Sequence, residues 1–290
     1  MPELPEVETV MKGLEKTIKG QIISNVLINR PNLRWPFPNR MKVRLEGKLI
    51  SNITRRSKYI LIDLSSNETM IMHLGMSGRV LIQDSGKTLG HSTFHLDQGN
   101  LDKHDHVIFT LENGTIVIYN DPRRFGFIDL CKSDEIQNHK MIKTLGVEPL
   151  SNQFSAIYLA EMFKNSRATI KSSLLNQKYV CGLGNIYVCE ALWRSGIVPT
   201  RLAGTISLKK LEKLVNAIRV TLFEAIKAGG SSLKDFKNIE GNLGYFQHQF
   251  NVYDSEGKDC NTQGCKAKIK KIRLAGRSTF YCDNCQRYDF

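Results

Sequence analysis

Four cysteines near the C-terminus constrain this chain more than any other feature, because two closely spaced pairs suit only a few local structures. Cys260 and Cys265 are separated by four residues, Cys282 and Cys285 by two, and sixteen residues lie between the pairs. Two short knuckles supplying two soft ligands each have the spacing of a closed, tetrahedral four-thiolate zinc site, structural rather than catalytic. Disulfides are the alternative, and a reducing cytosol disfavours them. Between the knuckles, Lys266, Lys268, Lys270, Lys271, Arg273 and Arg277 are dense in positive charge. A β-hairpin carrying that run beside a metal reads as a nucleic-acid contact module.

The charge of the whole chain agrees. Lys plus Arg exceed Asp plus Glu by 41 to 28, a formal +13 spread along the sequence rather than gathered in a tail. Such a pattern suits a folded protein with a positive groove for a polyanion. With 290 residues there is room for two domains, each with its own core. No apolar run approaches the roughly 18 residues of a membrane span, and the charged N-terminus does not read as a signal peptide, so the expectation is a cytoplasmic, nucleoid-associated protein. The remaining cysteines, Cys131, Cys181 and Cys189, sit in apolar surroundings and read as inert thiols.

At the other end the chain begins Met1-Pro2-Glu3-Leu4-Pro5-Glu6. Removal of the initiator would leave Pro2 with a secondary amine, able to attack an aldehyde-like carbon and form an iminium that acts as an electron sink. Glu3 is then a proton carrier beside it. Read alone, the same residues simply open a helix. Pro5 suits a first turn, Glu6 and Glu8 complement the positive helix end, and Leu4, Val7, Met11, Leu14 and Ile18 share a face.

From Gly20 to about Leu130 short β-rich runs alternate with turns such as Asn113-Gly114, which predicts an antiparallel sandwich or barrel. The expected strands cover 22–28, 59–64, 69–74, 107–111, 115–119 and 127–130. A polar insert at 83–103 interrupts them. Helical periodicity then takes over, with expected helices at 155–163, 169–175, 186–195 and 207–228. The Gly182-Leu183-Gly184-Asn185 turn between two of these lets backbone amides approach a phosphate, although an ordinary connection between helices explains it equally well. The expected division is a β-sandwich at 1–132, a linker at 133–152, a helical domain at 153–240 and a loop with the cysteine hairpin at 241–290.

Taken together, these motifs resemble one family. Pro2 through Thr9, Lys58-Tyr59, His73 through Gly78, Lys103 through Val107, Asp121 through Gly126, Gly182 through Tyr187, and the cysteine knuckles with Gly276-Arg277 occur in the order seen in bacterial formamidopyrimidine-DNA glycosylases. The resemblance spans essentially the whole chain. Two departures stand out: the first knuckle has four intervening residues where the family usually has two, and the insert before Lys103 is longer.

The resemblance implies an α+β protein: an N-terminal antiparallel β-sandwich with an N-terminal helix, then a helix-two-turns-helix domain with a C-terminal four-cysteine zinc-finger hairpin. It implies a monomeric bifunctional DNA glycosylase and abasic-site lyase acting on duplex DNA that carries oxidised purines or abasic sites. Pro2 would be the nucleophile, Glu3 the proton shuttle, and Lys58 would stabilise phosphate or a developing oxyanion. Met76, Arg123 and Phe125 would fill the gap left by a flipped nucleotide. Asn185 and Arg277 would hold flanking phosphates, His104 would join them on the DNA, and Cys260, Cys265, Cys282 and Cys285 would bind one zinc ion. Glu6 and Glu190 look structural, and Gly241 through Phe246 falls at the family's lesion-covering loop. Two other readings are an endonuclease VIII type for oxidised pyrimidines, whose N-terminus usually has Gly where this chain has Leu4, and a zinc-dependent DNA-binding protein without catalysis.

Overall fold

The computed structural model describes residues 2–83, 103–231 and 245–288. Most of the polar insert, and Gly241 through Gly244 of the glycine-containing loop, therefore lie outside the described residues. The chain divides into two compact units, Met1–Lys143 with Ala228–Tyr245, and Thr144–Lys227 with Phe246–Phe290.

In the first unit, helix α1 spans Leu4–Ile18 and buries Leu4, Val7, Val10, Met11, Leu14 and Ile18, the stripe its sequence period demands. Among the described residues eight strands follow: β1 (Ile23–Ile28), β2 (Ile50–Arg56), β3 (Tyr59–Leu64), β4 (Glu68–His73), β5 (Arg79–Gln83), β6 (Asp105–Leu111), β7 (Ile116–Asn120) and β8 (Phe127–Lys132). They form two antiparallel four-stranded sheets, ordered β1-β6-β7-β5 and β2-β3-β4-β8. One core collects the inner faces of both sheets and α1, including Leu14, Val26, Ile62, Met72, Phe109 and Tyr119. Each such large side chain contributes about 1.5–3 kcal/mol through burial, so the sandwich is held by this shared layer. A short helix α2 (Met41–Leu45) adds Met41 and Leu45 to it.

The second unit carries α3 (Ala156–Phe163), α4 (Ile170–Leu175), α5 (Asn185–Ser195) and α6 (Leu208–Lys227). The Ser155 hydroxyl caps α3 by accepting from Tyr158 N–H at 3.1 Å, and Thr169 caps α4 through Ser172 N–H at 3.3 Å. Along α6, Leu211, Leu214, Val215, Ile218, Leu222 and Ala225 are buried, while Leu208 in its first turn is exposed. The hairpin consists of β9 (Lys270–Leu274) and β10 (Arg277–Tyr281). Arg277 pairs with Leu274, leaving Ala275 and Gly276 as a two-residue turn with both φ angles positive, at 51° and 72°. That geometry matches the twist of the flanking strands.

Candidate active site and nucleic-acid interface

Pro2 and Glu3 are both buried, at the entry to α1. Glu3 is the N-cap residue, and its backbone N–H donates to Glu6 Oε2 at 2.8 Å, closing a capping box with the third helical residue. Glu6 Oε1 accepts from the Ser231 N–H at 2.7 Å and from its hydroxyl at 3.0 Å. One buried carboxylate therefore fixes the backbone at Glu3 and tethers the chain at Ser231. Gly230 makes this approach possible: its φ is +82°, and a Cβ there would lie 3.0 Å from Glu6 Oε1.

Lys58, also buried, sits in the turn between β2 and β3, next to Ser57 with φ 56°. Arg55 ties that turn to α1, with Nε donating to Glu8 Oε2 at 2.7 Å and Nη1 donating to Ser57 O at 2.8 Å. The segment carrying Lys58 is thus anchored to the helix that Pro2 and Glu3 open. His73 lies opposite Tyr59 in the β3–β4 register and stacks on Phe127, ring centres 5.5 Å apart. Burial first, then the charges of Lys58 and Arg34, push its pKa down to about 4. It is a neutral imidazole at pH 7, with Nδ1 accepting the Gly75 N–H at 3.1 Å, which leaves Nε2 as the donor.

Met76, Arg123 and Phe125 are exposed on two turns, one after β4 and one after β7. The Arg123 guanidinium lies 5.1 Å from the Phe125 ring centre, a stacked cation and aromatic at the tip of the second turn. His104 is half-buried just before β6. Sequence reasoning passed over Arg34 and Trp35. Arg34 donates its backbone N–H to Gly126 O at 3.4 Å and holds its guanidinium 4.9 Å from the exposed Trp35 ring. Their signal was an exposed Arg-Trp-Pro run between strands, which carries little weight without its neighbours.

In the second unit Asn185 is the first residue of α5, following Gly184, at a helix N-terminus whose dipole favours an anion. Its Nδ2 donates to Ser278 O at 2.9 Å, placing it beside the exposed Arg277. Lys171 supports the same spot from a fully buried position, donating to Ser278 O at 3.1 Å and to Thr279 Oγ1 at 2.6 Å. Glu190 is fully buried and accepts the backbone N–H groups of Asn251, Val252 and Tyr253 at 2.9–3.1 Å. It holds the segment that leads into the cysteine hairpin.

The four cysteines come together. All four Sγ atoms lie within 4.8 Å of one another, with Cys260 and Cys285 at 3.8 Å and Cys265 and Cys282 at 3.7 Å. A tetrahedron with Zn–S bonds of about 2.3 Å has edges of about 3.8 Å, so the thiols fit one structural zinc ion. The two extra residues of the first knuckle are taken up by a turn closed by Cys265 N–H on Thr262 O at 2.9 Å, with Gly264 at φ +78°. Asn284 Nδ2 donates to Cys265 Sγ at 3.3 Å, an outer-shell contact of the kind that stabilises a bound thiolate. Of the other three thiols, Cys181 and Cys189 are buried as expected, while Cys131 is only half-buried, and burial, then the carboxylates of Asp129, Glu135 and Glu68, push its pKa up to about 11.

Comparison with known proteins agrees with this geometry. Residues 1–128 match the family described as Formamidopyrimidine-DNA glycosylase N-terminal domain, residues 145–237 its H2TH domain, and residues 257–287 a zinc finger found in FPG and IleRS. The formamidopyrimidine-DNA glycosylases of Ruegeria sp. strain TM1040 and of Dinoroseobacter shibae are each 53% identical over 287 residues, covering 99% of this chain and 100% of theirs. The complex between Lactococcus lactis Fpg and an abasic site containing DNA superposes with a TM-score of 0.86 at 33% identity, over 99% of this chain and 100% of that one. Wild-type Lactococcus lactis Fpg with an N7-benzyl-Fapy-dG containing DNA gives 0.86 at 34% over the same shares. With both units and the zinc hairpin matched, the chain belongs to the formamidopyrimidine-DNA glycosylase family.

Proposed function

We propose that this protein is a bifunctional DNA glycosylase and abasic-site lyase that removes 8-oxoguanine and formamidopyrimidines from duplex DNA through a Schiff base on Pro2. The observation that carries this is the burial of Pro2 and Glu3 at the capped start of α1, with the Lys58 turn anchored to the same helix. After removal of Met1, the Pro2 nitrogen forms a bond to C1′ as the glycosidic bond breaks, and the base departs with the bonding electrons and takes up a proton. Glu3 carries protons during base loss and sugar opening. Loss of a C2′ proton from the resulting iminium expels the 3′-phosphate, and a second elimination expels the 5′-phosphate. Lys58 offers a cation to the phosphate or to a developing oxyanion.

A lesion inside a duplex must leave the stack before this chemistry begins. Met76 and Phe125 supply apolar wedges and Arg123 a guanidinium for the orphaned partner base. Asn185, Arg277 and His104 take the flanking phosphates, and the zinc ion fixes the fold of the hairpin that presents Arg277. Among the described residues no helix is long and apolar enough to cross a membrane, and the place of work is the cytoplasm at the nucleoid. The test is a nicking assay on duplexes carrying 8-oxoguanine opposite cytosine, thymine glycol or a bare abasic site. Cleavage at 8-oxoguanine and at the abasic site is expected. Cleavage at thymine glycol alone would favour an oxidised-pyrimidine enzyme, and no cleavage anywhere would end the proposal.

A further inference from the structure

The turn after β4 and the turn after β7 lie far apart in sequence, yet their backbones touch. A Cβ added to Gly75, whose φ is +61°, would fall 2.4 Å from both Gly126 N and the Phe125 carbonyl carbon. One added to Gly126 would fall 1.8 Å from the Tyr119 hydroxyl, which itself donates to His73 O at 2.8 Å. Only glycine fits either place.

Asp121 lies between the two turns, with none of its surface exposed. Its Oδ1 accepts the Ser77 hydroxyl at 2.6 Å, and its Oδ2 accepts the Gly126 N–H at 2.8 Å. Ser77 Oγ in turn accepts the Arg123 N–H at 3.1 Å. The main chain of Asp121 reaches a third segment, where its N–H donates to His104 O at 3.1 Å and its carbonyl oxygen bonds His106 Nε2 at 2.8 Å. One buried carboxylate residue thus gathers the three backbones that carry Met76, Arg123, Phe125 and His104.

A carboxylate withdrawn from water is stable only where donors replace the lost hydration, and here those donors come from both turns. What the arrangement secures is a fixed relation between them. We infer that Asp121 and Ser77 are positioning residues that join the Met76 turn and the Arg123–Phe125 turn into one preformed wedge, so that a nucleotide is extruded by a single rigid element. Two separate turns would each have to lose conformational freedom on the DNA, and that loss would be added to the barrier for extrusion. The inference rests on the proposed gap-filling role of Met76, Arg123 and Phe125.

A positioning role for extrusion makes a demand that a general structural role does not: the defect must depend on whether the lesion is paired. Ser77→Ala and Asp121→Asn are compared with the wild type in single-turnover excision of 8-oxoguanine, first opposite cytosine and then in an unpaired bulge. Ser77→Ala is expected to slow excision from the paired site about tenfold, as for one lost hydrogen bond to a charged group. The bulged site should change by less than about twofold on the same reasoning. A 2-aminopurine beside the paired lesion should brighten more slowly by the same factor. Should Asp121→Asn not fold, Ser77→Ala alone decides. Equal slowing on both substrates, or unchanged excision from the paired site, overturns the inference. Wild-type protein inactive on both substrates would remove the functional reading beneath it, and the inference with it.

Discussion

The candidate chemical groups of the first unit and the candidate phosphate contact of the second are treated in opposite ways. In the first, Pro2, Glu3 and Lys58 are buried, the backbone N–H of Glu3 is held by Glu6, and the turn that carries Lys58 is held by Arg55. In the second, Arg277 is exposed, and the buried polar residues stand behind the contact surface: Lys171 under Ser278 and Thr279, Glu190 under the segment from Asn251 to Tyr253. Proton transfer and nucleophilic attack need groups whose solvation and orientation are set before the substrate arrives. Holding a phosphate needs a cation at the surface with a rigid support. If these groups act as proposed, chemistry and grip are separable, which makes crossed effects the sharpest test.

The largest expected effect lies on the chemical side. Glu3→Gln should lower single-turnover excision by about 10²- to 10⁴-fold, the usual contribution of a positioned acid–base group, while lesion-duplex binding stays within about twofold. If gel-shift affinity falls in step with the rate, the separation fails. On the other side, removing zinc by chelation, or Cys282→Ser, should lower duplex affinity by about a hundredfold because the hairpin loses the ion that folds it. Excision at saturating DNA should suffer far less, and the comparison breaks if it falls as much as binding does. Arg277→Ala tests the same side more gently. An affinity loss of about 1–3 kcal/mol is expected, with the salt dependence of binding reduced by about one phosphate contact. An unaltered salt slope would take Arg277 off the phosphates.

The last effect concerns stability rather than catalysis. His73 has a folded-state pKa of about 4, below the unfolded value of about 6.5. The unfolded chain therefore takes up the extra proton, and stability present above pH of about 6.5 is lost as pH falls towards 4. Urea unfolding of the wild type should lose on the order of 1–3 kcal/mol more over that interval than His73→Phe does. Equal losses would mean that His73 is not held neutral by its surroundings.

Much of this was legible in the sequence because it is written locally. The apolar period of α6, the alternation in β3, the capping start of α1 and the cysteine spacing all lie within short stretches of the chain, where periodicity and turn chemistry speak clearly. Three elements escaped. In β2 only Ile50 and Ile53 face the core, with a bulge between Ile50 and Asn52 that breaks the alternation. Among the described residues, the five residues of β5 pair only with β7 at a sheet edge, and α2 is a five-residue helix started by Arg40 in a left-handed conformation. Each is defined by partners elsewhere in the chain rather than by its own pattern.

The site divides along the same line. Residues in dense motifs, such as Pro2-Glu3 and Gly184-Asn185, read alone as a helix start and a helix connection, and stand out once the motifs are taken together in order. Those that act through distant partners do not: Ser77 meets Asp121 across 44 positions of sequence, and Lys171 meets Thr279 across 108. Nothing local marks Lys171, a lysine in an apolar helix, as the support beneath Ser278.

The proposed chemistry stands or falls with covalent attack by the Pro2 nitrogen. Protein shown by mass spectrometry to lack Met1 is mixed with an 8-oxoguanine duplex in the presence of borohydride, and the product is digested and sequenced by fragmentation. The account predicts a reduced DNA adduct on residue 2, absent when Met1 is retained. An adduct on a lysine, or efficient strand cleavage by protein that keeps its methionine, would contradict it.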